Sequence, residues 1–211
     1  MKHLAVLSLT ICLFARAGPA APAPRALTLA VRVYDQRVDT TVSLREALDE
    51  ASRVYASAGV ALLWAQCGAD RSGSEPRCAR PIAPDERVIR VMDAEVVGTV
   101  SHEPMVLGAA YIDTAAARGA LATVYGRRVN AWADTARLRR TDTLGRAIAH
   151  ELGHLILGTH DHSRHGLMRG VWTMQTDARG FGADWTFTSD EEKKLRARVT
   201  SHRGGTLIAT N

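Results

Sequence analysis

Apolar and polar residues alternate in five short stretches of this chain that contain many β-branched side chains. Such alternation places successive side chains on opposite faces of an extended backbone, which is typical of strands with one buried face. The predicted strands cover residues 27–34, 60–66, 87–92, 106–113 and 121–129.

Other segments repeat their apolar residues every three or four positions, which predicts helices with one buried face. The first follows Ser43, whose hydroxyl forms a capping box with Glu46, and it ends at Gly59. A C-terminal helix is predicted from Ser189, as its cap, to about Val199. Acidic residues at its beginning and arginines toward its end suit the helix macrodipole.

The helix predicted between these two covers residues 142–157. Residues 141–143 read Thr-Asp-Thr and supply N-cap candidates, and Asp142 lies near the positive end of the macrodipole. Gly158 fits a left-handed C-terminal cap. Four apolar residues recur at spacings of four, four and three: Leu144, Ile148, Leu152 and Leu155. This stripe can pack on a core while another face of the helix borders a cleft.

The order of the predicted elements is strand, helix, four strands, helix, loop and helix. This order predicts an α+β domain with a twisted mixed sheet of about five strands. We expect the first helix and the 142–157 helix to pack on one face of the sheet, with a third helix at the C-terminus. A cleft should lie under the sheet edge.

The composition argues against nucleic acid as a partner. The 211 residues carry 27 Lys and Arg against 22 Asp and Glu, a formal net charge of +5. No basic stripe or aromatic-interleaved patch concentrates this charge, as nucleic-acid binding would require. The length suffices for one domain with a substantial core, and no pattern predicts an oligomeric state.

The N-terminus has the three-part pattern of a secretory signal peptide. Lys2 and His3 form a short basic region, residues 4–14 are an apolar run, and small residues follow. Eleven apolar residues are too few to span a bilayer as a helix, which needs about 20. We therefore expect residues 1–24 to be removed and residues 25–211 to form the mature domain, secreted or periplasmic and without stable membrane association.

Export leaves two cysteines, Cys67 and Cys78, because Cys12 lies in the apolar run. A pair of cysteines in an oxidising compartment predicts a disulfide, here across the polar loop 68–77. A thiolate metal site or a reactive cysteine is the alternative, but no CxxC spacing favours it.

The candidate chemistry lies in the second predicted helix, which contains the sequence HELGH. His150 and His154 are four residues apart, so both imidazoles lie on one helix face and can reach a single ion at about 2.0–2.1 Å, the usual distance for zinc. Glu151 stays free to take a proton from a water that the ion activates. His160 and His162 follow in the next loop, and either can be the third ligand.

Zinc hydrolases use three protein ligands and an open fourth position. With Zn²⁺ as the cofactor and Glu151 as the general base, the residues predict a hydrolase, and most directly an endopeptidase. Two other functions fit the same residues. One is a secreted zinc-binding interaction protein without turnover, which the intact Glu151 argues against. The other is a zinc amidase or deacylase that acts on non-protein amides.

The segment HELGHLILGTHDHSRHGLM resembles the zinc-site signature of the metzincin peptidases, especially the matrixin-like branch. It is also similar to bacterial secreted proteins that read HELGHLLLG and then HS and GIM. The resemblance covers residues 149–168, about a tenth of the chain. It implies a metzincin-like zinc metallopeptidase domain over residues 25–211, a protein or peptide substrate, and Met168 as the methionine of the turn beneath the metal. It further implies that 106–113 is an edge strand that binds the substrate backbone.

The third ligand stays open, because the chain departs from the family pattern HExxHxxGxxH. The family glycine falls where this chain has Leu157, and its own glycine is Gly158. His160 keeps the family's spacing of ten residues from the first ligand. His162 is followed by serine, as the matrixin third histidine is, and matches the histidine of the bacterial secreted proteins. We favour His162, with His160 as the alternative and Asp161 as a third option.

Overall fold

The computed structural model describes residues 27–68, 75–93, 106–172 and 185–204. Its elements follow one another as β1 (Leu27–Gln36), α1 (Leu44–Ser57), β2 (Val60–Cys67), β3 (Arg87–Met92), β4 (Gly108–Asp113), β5 (Arg118–Tyr125), α2 (Gly126–Ala136), α3 (Arg140–Leu157) and α4 (Ser189–Gly204). Together they confirm the predicted α+β class. The predicted signal peptide, 1–24, lies outside the described residues. Within those residues, no helix has both the length and the hydropathy needed to cross a bilayer.

The strands form one mixed sheet in the order β2-β1-β3-β5-β4. β1 pairs in parallel with β2 and β3, and β3 pairs in parallel with β5, whereas β4 runs antiparallel to β5. Parallel neighbours need a crossover connection, and α1 supplies the one between β1 and β2. β4 is an edge strand, as expected for 106–113, and in the described ranges its outer backbone edge pairs with no other strand.

The core lies between the sheet and the helices α1 and α3. Val31 and Val33 of β1 are fully buried there. The stripe predicted for α3 is fully buried as well: Leu144, Ile148, Leu152 and Leu155. The Tyr55 hydroxyl of α1 donates a hydrogen bond to the carbonyl oxygen of Ala149 at 3.2 Å. This bond fixes α1 against the part of α3 that carries the HELGH sequence.

Gly145 allows α1 to lie close against α3, and we expect its replacement by alanine to destabilise the fold. A β-carbon there would lie 2.4 Å from the carbonyl oxygen of Ala47 and 2.6 Å from Cβ of Glu50. Alanine ordinarily favours a helix by about 1 kcal/mol, but overpacking costs about 1–3 kcal/mol and here meets unyielding backbone. We expect Gly145→Ala to lower the free energy of unfolding by about 1–2 kcal/mol in urea titrations.

Gly68→Ala is the matched control for this prediction, because a β-carbon at that position meets nothing within 4 Å. It should leave the unfolding midpoint close to that of the wild type. An unchanged or higher midpoint for Gly145→Ala would show that the two helices can separate without cost.

The last predicted strand, 121–129, is wrong in its second half. β5 is Arg118–Tyr125, and the chain then enters α2, which the sequence pattern does not indicate. Val129 and Ala133 are four residues apart and buried, so Val129 belongs to a helical face rather than to the end of a strand. α2 lacks a local start signal, because its cap residue Tyr125 makes no side-chain cap bond.

α3 begins at Arg140, two residues before the predicted start, and its cap residue Arg139 makes no side-chain cap bond. The N-cap candidates of residues 141–143 lie inside the first turn, where the Thr143 hydroxyl donates to the carbonyl oxygen of Arg139 at 2.9 Å. Asp142 is in the first turn, where its charge suits the macrodipole. The other end agrees with the sequence, because Gly158 caps the helix with a φ of 68°.

The caps of α1 and α4 differ in how well the sequence predicts them. The Ser43 side chain accepts a hydrogen bond from the Glu46 amide at 3.3 Å, as predicted. α4 is capped by Thr188 and not by Ser189. The Thr188 hydroxyl oxygen accepts from the Glu191 amide at 3.3 Å, and a Glu191 carboxylate oxygen accepts from the Thr188 amide at 2.7 Å. This capping box places the cap one residue before the predicted cap, Ser189.

A disulfide joins Cys67, at the end of β2, to Cys78, with their Cα atoms 5.6 Å apart. Closing a loop of about a dozen residues in this way stabilises a fold by roughly 3 kcal/mol in the loop-entropy model. Nearby, the buried Arg32 guanidinium donates to a carboxylate oxygen of Glu86 at 2.6 Å. Together these contacts tie residues 78–86 to the sheet face opposite α1 and α3.

Candidate active site

α3 presents His150 and His154 on one face, as their spacing predicts. Their Nε2 atoms lie 3.0 Å apart. The Nδ1 atom of His150 donates to the carbonyl oxygen of Leu167, and that of His154 donates to the carbonyl oxygen of Thr159, both at 2.8 Å. Because a carbonyl oxygen only accepts, both rings carry their proton on Nδ1 and turn an Nε2 lone pair toward the same point.

Two lone pairs that face each other at this distance repel, and a shared cation removes the repulsion. Burial lowers the pKa of His150 to about 3 and the pKa of His154 to about 4, so both imidazoles are neutral ligands at neutral pH. Zinc–nitrogen bonds of about 2.0–2.1 Å at tetrahedral angles place ligand nitrogens roughly 3.3 Å apart. The residues therefore fit a zinc ion.

His162 completes the group. One ring nitrogen from each of His150, His154 and His162 lies within 4.8 Å of the others. The His162 ring centroid is 4.9 Å from that of His154 and 5.4 Å from that of His150. The His160 ring is 6.5 Å from that of His154 and lines the same cavity without joining the group. Among the described residues, the structure thus brings His162 together with His150 and His154 and leaves His160 and Asp161 outside this group.

Glu151 follows the first of these histidines and lines the cavity beside β4. Its side chain is buried, and burial raises the pKa of the carboxyl to about 8. A cation held by the histidines would favour the ionised carboxylate and lower this pKa. A β-carbon on Gly108 would lie 2.6 Å from both Cγ and Oε1 of Glu151. Glycine at this position of the edge strand therefore leaves room for the Glu151 carboxylate. The sequence pattern does not indicate that Gly108 belongs to the site.

The raised pKa of Glu151 predicts how the metal-free protein responds to pH. Its folded-state pKa of about 8 lies above the ordinary value of 4.5, so the folded state binds this proton more tightly than the unfolded chain. The resulting stabilisation is complete below the ordinary value and is lost as pH rises through the folded-state value. Below pH 6.5 the two buried histidines act in the opposite sense, because their lowered pKa means that the folded state binds their protons less tightly than the unfolded chain does. We therefore expect the free energy of unfolding of the metal-free protein to fall between pH 6.5, the ordinary pKa of histidine, and about 8 in urea titrations.

Glu151→Gln is the comparison for this pH dependence, because glutamine does not titrate. Between pH 6.5, the ordinary pKa of histidine, and about 8, the two buried histidines stay neutral in the folded state. We expect the variant to lose stability less steeply than the wild type in this window. Equal slopes for the two proteins would show that Glu151 is ionised in the metal-free fold.

Met168 lies fully buried against α3, at the glycine between the two helix histidines. A β-carbon on Gly153 would lie 2.5 Å from Sδ of Met168 and 3.2 Å from Cε1 of Phe187. The turn that brings the methionine there uses Gly166 with a φ of 79°. Leu167, next in this turn, supplies the carbonyl oxygen that orients the His150 ring. The turn of residues 166–168 is therefore packed directly on α3.

A cavity of about 580 Å³ opens beside the three histidines. α3 lines it with Ala147, one turn before His150. Trp132 of α2 and Trp172 form an aromatic wall, with their ring centroids 5.9 Å apart in an edge-to-face arrangement. The sequence pattern does not indicate Trp132, because it does not indicate α2. β4 contributes only small residues to the lining: Gly108, Ala109 and Ala110.

No protein-family model matches this chain, and no curated protein sequence matches it. Among solved structures, it is similar to archaemetzincin from Methanopyrus kandleri, with a TM-score of 0.53 and 14% identity over 84% of this chain and 99% of that one. A zinc-dependent peptidase from Methanocorpusculum labreanum gives a TM-score of 0.49 at 13% identity, over 78% of this chain and 99% of that one. The likeness to archaemetzincin shows a shared fold and confirms the expected metzincin-like architecture. It gives no support to the matrixin-like branch.

Proposed function

We propose that this protein is a zinc-dependent endopeptidase of metzincin type. The observation that carries the proposal is the group of three histidine nitrogens within 4.8 Å of one another, with Glu151 lining the same cavity. Structural zinc sites are closed by four protein ligands, whereas catalytic sites combine three protein ligands with a free position. The fold that this chain shares with archaemetzincin supports the same assignment.

When bound, zinc would supply a Lewis acid that polarises the scissile carbonyl and acidifies water. Glu151 accepts a proton at a carboxylate oxygen from the attacking water and later donates it to the leaving amine. The hydrogen bonds from Nδ1 of His150 and His154 keep both Nε2 atoms directed at one point. Met168 serves as the methionine of the turn beneath the metal.

The edge of β4 suits an extended peptide as the substrate. Residues 108–110 line the cavity and carry little or no side chain, so the backbone is accessible beside Glu151. A peptide can add to such an edge as a further strand, held by main-chain hydrogen bonds. This placement would hold the scissile bond across the cavity.

Export is part of the proposal. Residues 1–24 act as a signal peptide, and residues 25–211 are the secreted or periplasmic catalytic domain. The Cys67–Cys78 disulfide supports an oxidising compartment, where disulfides form and persist.

The proposed function predicts zinc-dependent cleavage of unfolded protein. We expect the mature chain with one zinc ion to cleave an unfolded protein and a peptide library, with fragments identified by mass spectrometry. Chelation should abolish the cleavage, and zinc alone should restore it. Full zinc content without cleavage of any peptide would contradict the proposal. Hydrolysis confined to non-protein amides, tested on peptidoglycan, would contradict it too.

A further inference from the structure

The three proposed ligands are held in different ways. His150 and His154 are buried on α3, and each ring is oriented by a hydrogen bond to a carbonyl oxygen. His162 is exposed and lies in the loop after α3. Its ring packs on Gly170, where a β-carbon would lie 3.0 Å from Cγ of His162, and it forms no hydrogen bond to another described residue. Its position therefore depends on ring packing against Gly170 and the two helix histidines, and on its backbone, which the residue that follows holds.

Ser163, the residue after this ligand, is held by both its backbone and its side chain. Its amide donates to the carbonyl oxygen of Met168 at 2.9 Å, and it forms an isolated β-bridge with Arg169. These contacts lie within residues 163–169 and hold the two ends of this turn together. The Ser163 hydroxyl donates to Oε1 of Glu191, which lies at the beginning of α4. This hydroxyl contact ties the turn to another element of the fold.

The Glu191 carboxylate is itself held in place by other parts of the fold. Its side chain is buried, and its Oε2 accepts a hydrogen bond from the Thr188 amide at 2.7 Å, while its own amide donates to the Thr188 hydroxyl oxygen. α4 continues into the core through Leu195 and Val199, both buried. The carboxylate that meets Ser163 therefore extends from a helix end that is fixed at the cap and by core packing.

We propose that Ser163 and Glu191 are positioning residues for the third zinc ligand. Because α4 is fixed in the fold, their contact fixes the backbone next to His162. It thereby holds the His162 ring nitrogen near the Nε2 atoms of His150 and His154. Without it, the turn keeps its internal hydrogen bonds and the bond from the Leu167 amide to the Thr186 carbonyl oxygen, but loses its side-chain contact with α4 itself. The inference rests on the proposed zinc site, although neither residue belongs to the ligand group.

The test is the zinc dissociation constant, measured by competition with a chromophoric chelator. Ser163→Ala should weaken zinc binding by about 10–100-fold, as the loss of an outer-shell partner does. Ser163→Thr keeps a hydroxyl and should restore most of the affinity. Glu191→Ala should weaken binding to a similar extent, and the double variant should lose little more than either single one, because both remove the same contact.

Thr188→Ala is the matched control, because it removes the cap hydroxyl of α4 but keeps both hydrogen bonds of the Glu191 carboxylate, from the Thr188 amide and from the Ser163 hydroxyl. Thr188→Ala and Ser163→Ala should both lower the urea midpoint of the metal-free protein, but only Ser163→Ala should change zinc affinity. Wild-type affinity in Ser163→Ala, or an equal loss in Thr188→Ala, would overturn the inference. The proposed function would survive either result, whereas a wild-type protein that binds no zinc would overturn both.

Discussion

Replacing Glu151 by glutamine should lower kcat/KM for peptide hydrolysis by about 10²–10⁴-fold, the range over which a positioned general base contributes. Glutamine has nearly the same size and fits the same space beside Gly108, but its amide cannot take up the proton of the attacking water. The three histidines are unchanged, so one zinc ion per chain should stay bound. Initial rates on a fluorogenic peptide and metal analysis of the same sample would measure both quantities.

Glu46→Gln is a matched control for that substitution, because the Glu46 side chain is 60% exposed on α1, away from the cavity. It should leave both turnover and zinc content unchanged. Substantial turnover by Glu151→Gln would show that another group accepts the proton. Zinc loss in that variant would show that the carboxylate helps to hold the ion.

The ligand helix could be predicted from the sequence because its features are local. The spacing of His150 and His154, the apolar stripe and the cap at Gly158 all follow from one helical period over a single segment. The capping residue Ser43 could be predicted for the same reason. The sheet class followed from the order of the elements. The order of the strands within the sheet could not be predicted in this way. It depends on how the connections cross the sheet, and the alternation along each strand carries no information about them.

The remaining parts of the site depend on contacts between distant segments. His160 and His162 are histidines of one loop, and the path of the following turn decides which ring reaches the ion. Gly108 matters because the Glu151 side chain lies against it. Trp132 matters because α2, a helix without a side-chain N-cap bond, brings it to the cavity. In the sequence, Glu191 is one of three consecutive acidic residues at a helix start. Its contact with the histidine turn becomes visible only in the fold.

His162→Ala should weaken zinc binding by more than about 100-fold, the upper end of the effect of losing only an outer-shell partner. The two helix nitrogens would remain, but a catalytic zinc site needs a third protein ligand. His160→Ala should keep one zinc ion per chain, because its ring lies outside the ligand group. Zinc content after equilibrium dialysis, together with chelator competition, would measure the difference.

The two variants control for each other, because both remove an exposed imidazole from the same loop. A general disturbance of that loop would lower zinc affinity in both, whereas direct ligation lowers it only where the ring reaches the ion. Loss of zinc in His160→Ala with retention in His162→Ala would reverse the assignment. It would mean that the loop takes another path when zinc is bound, with the ligand ten residues after His150. The tie between Ser163 and Glu191 argues against that path, since it holds the backbone beside His162 next to the start of α4.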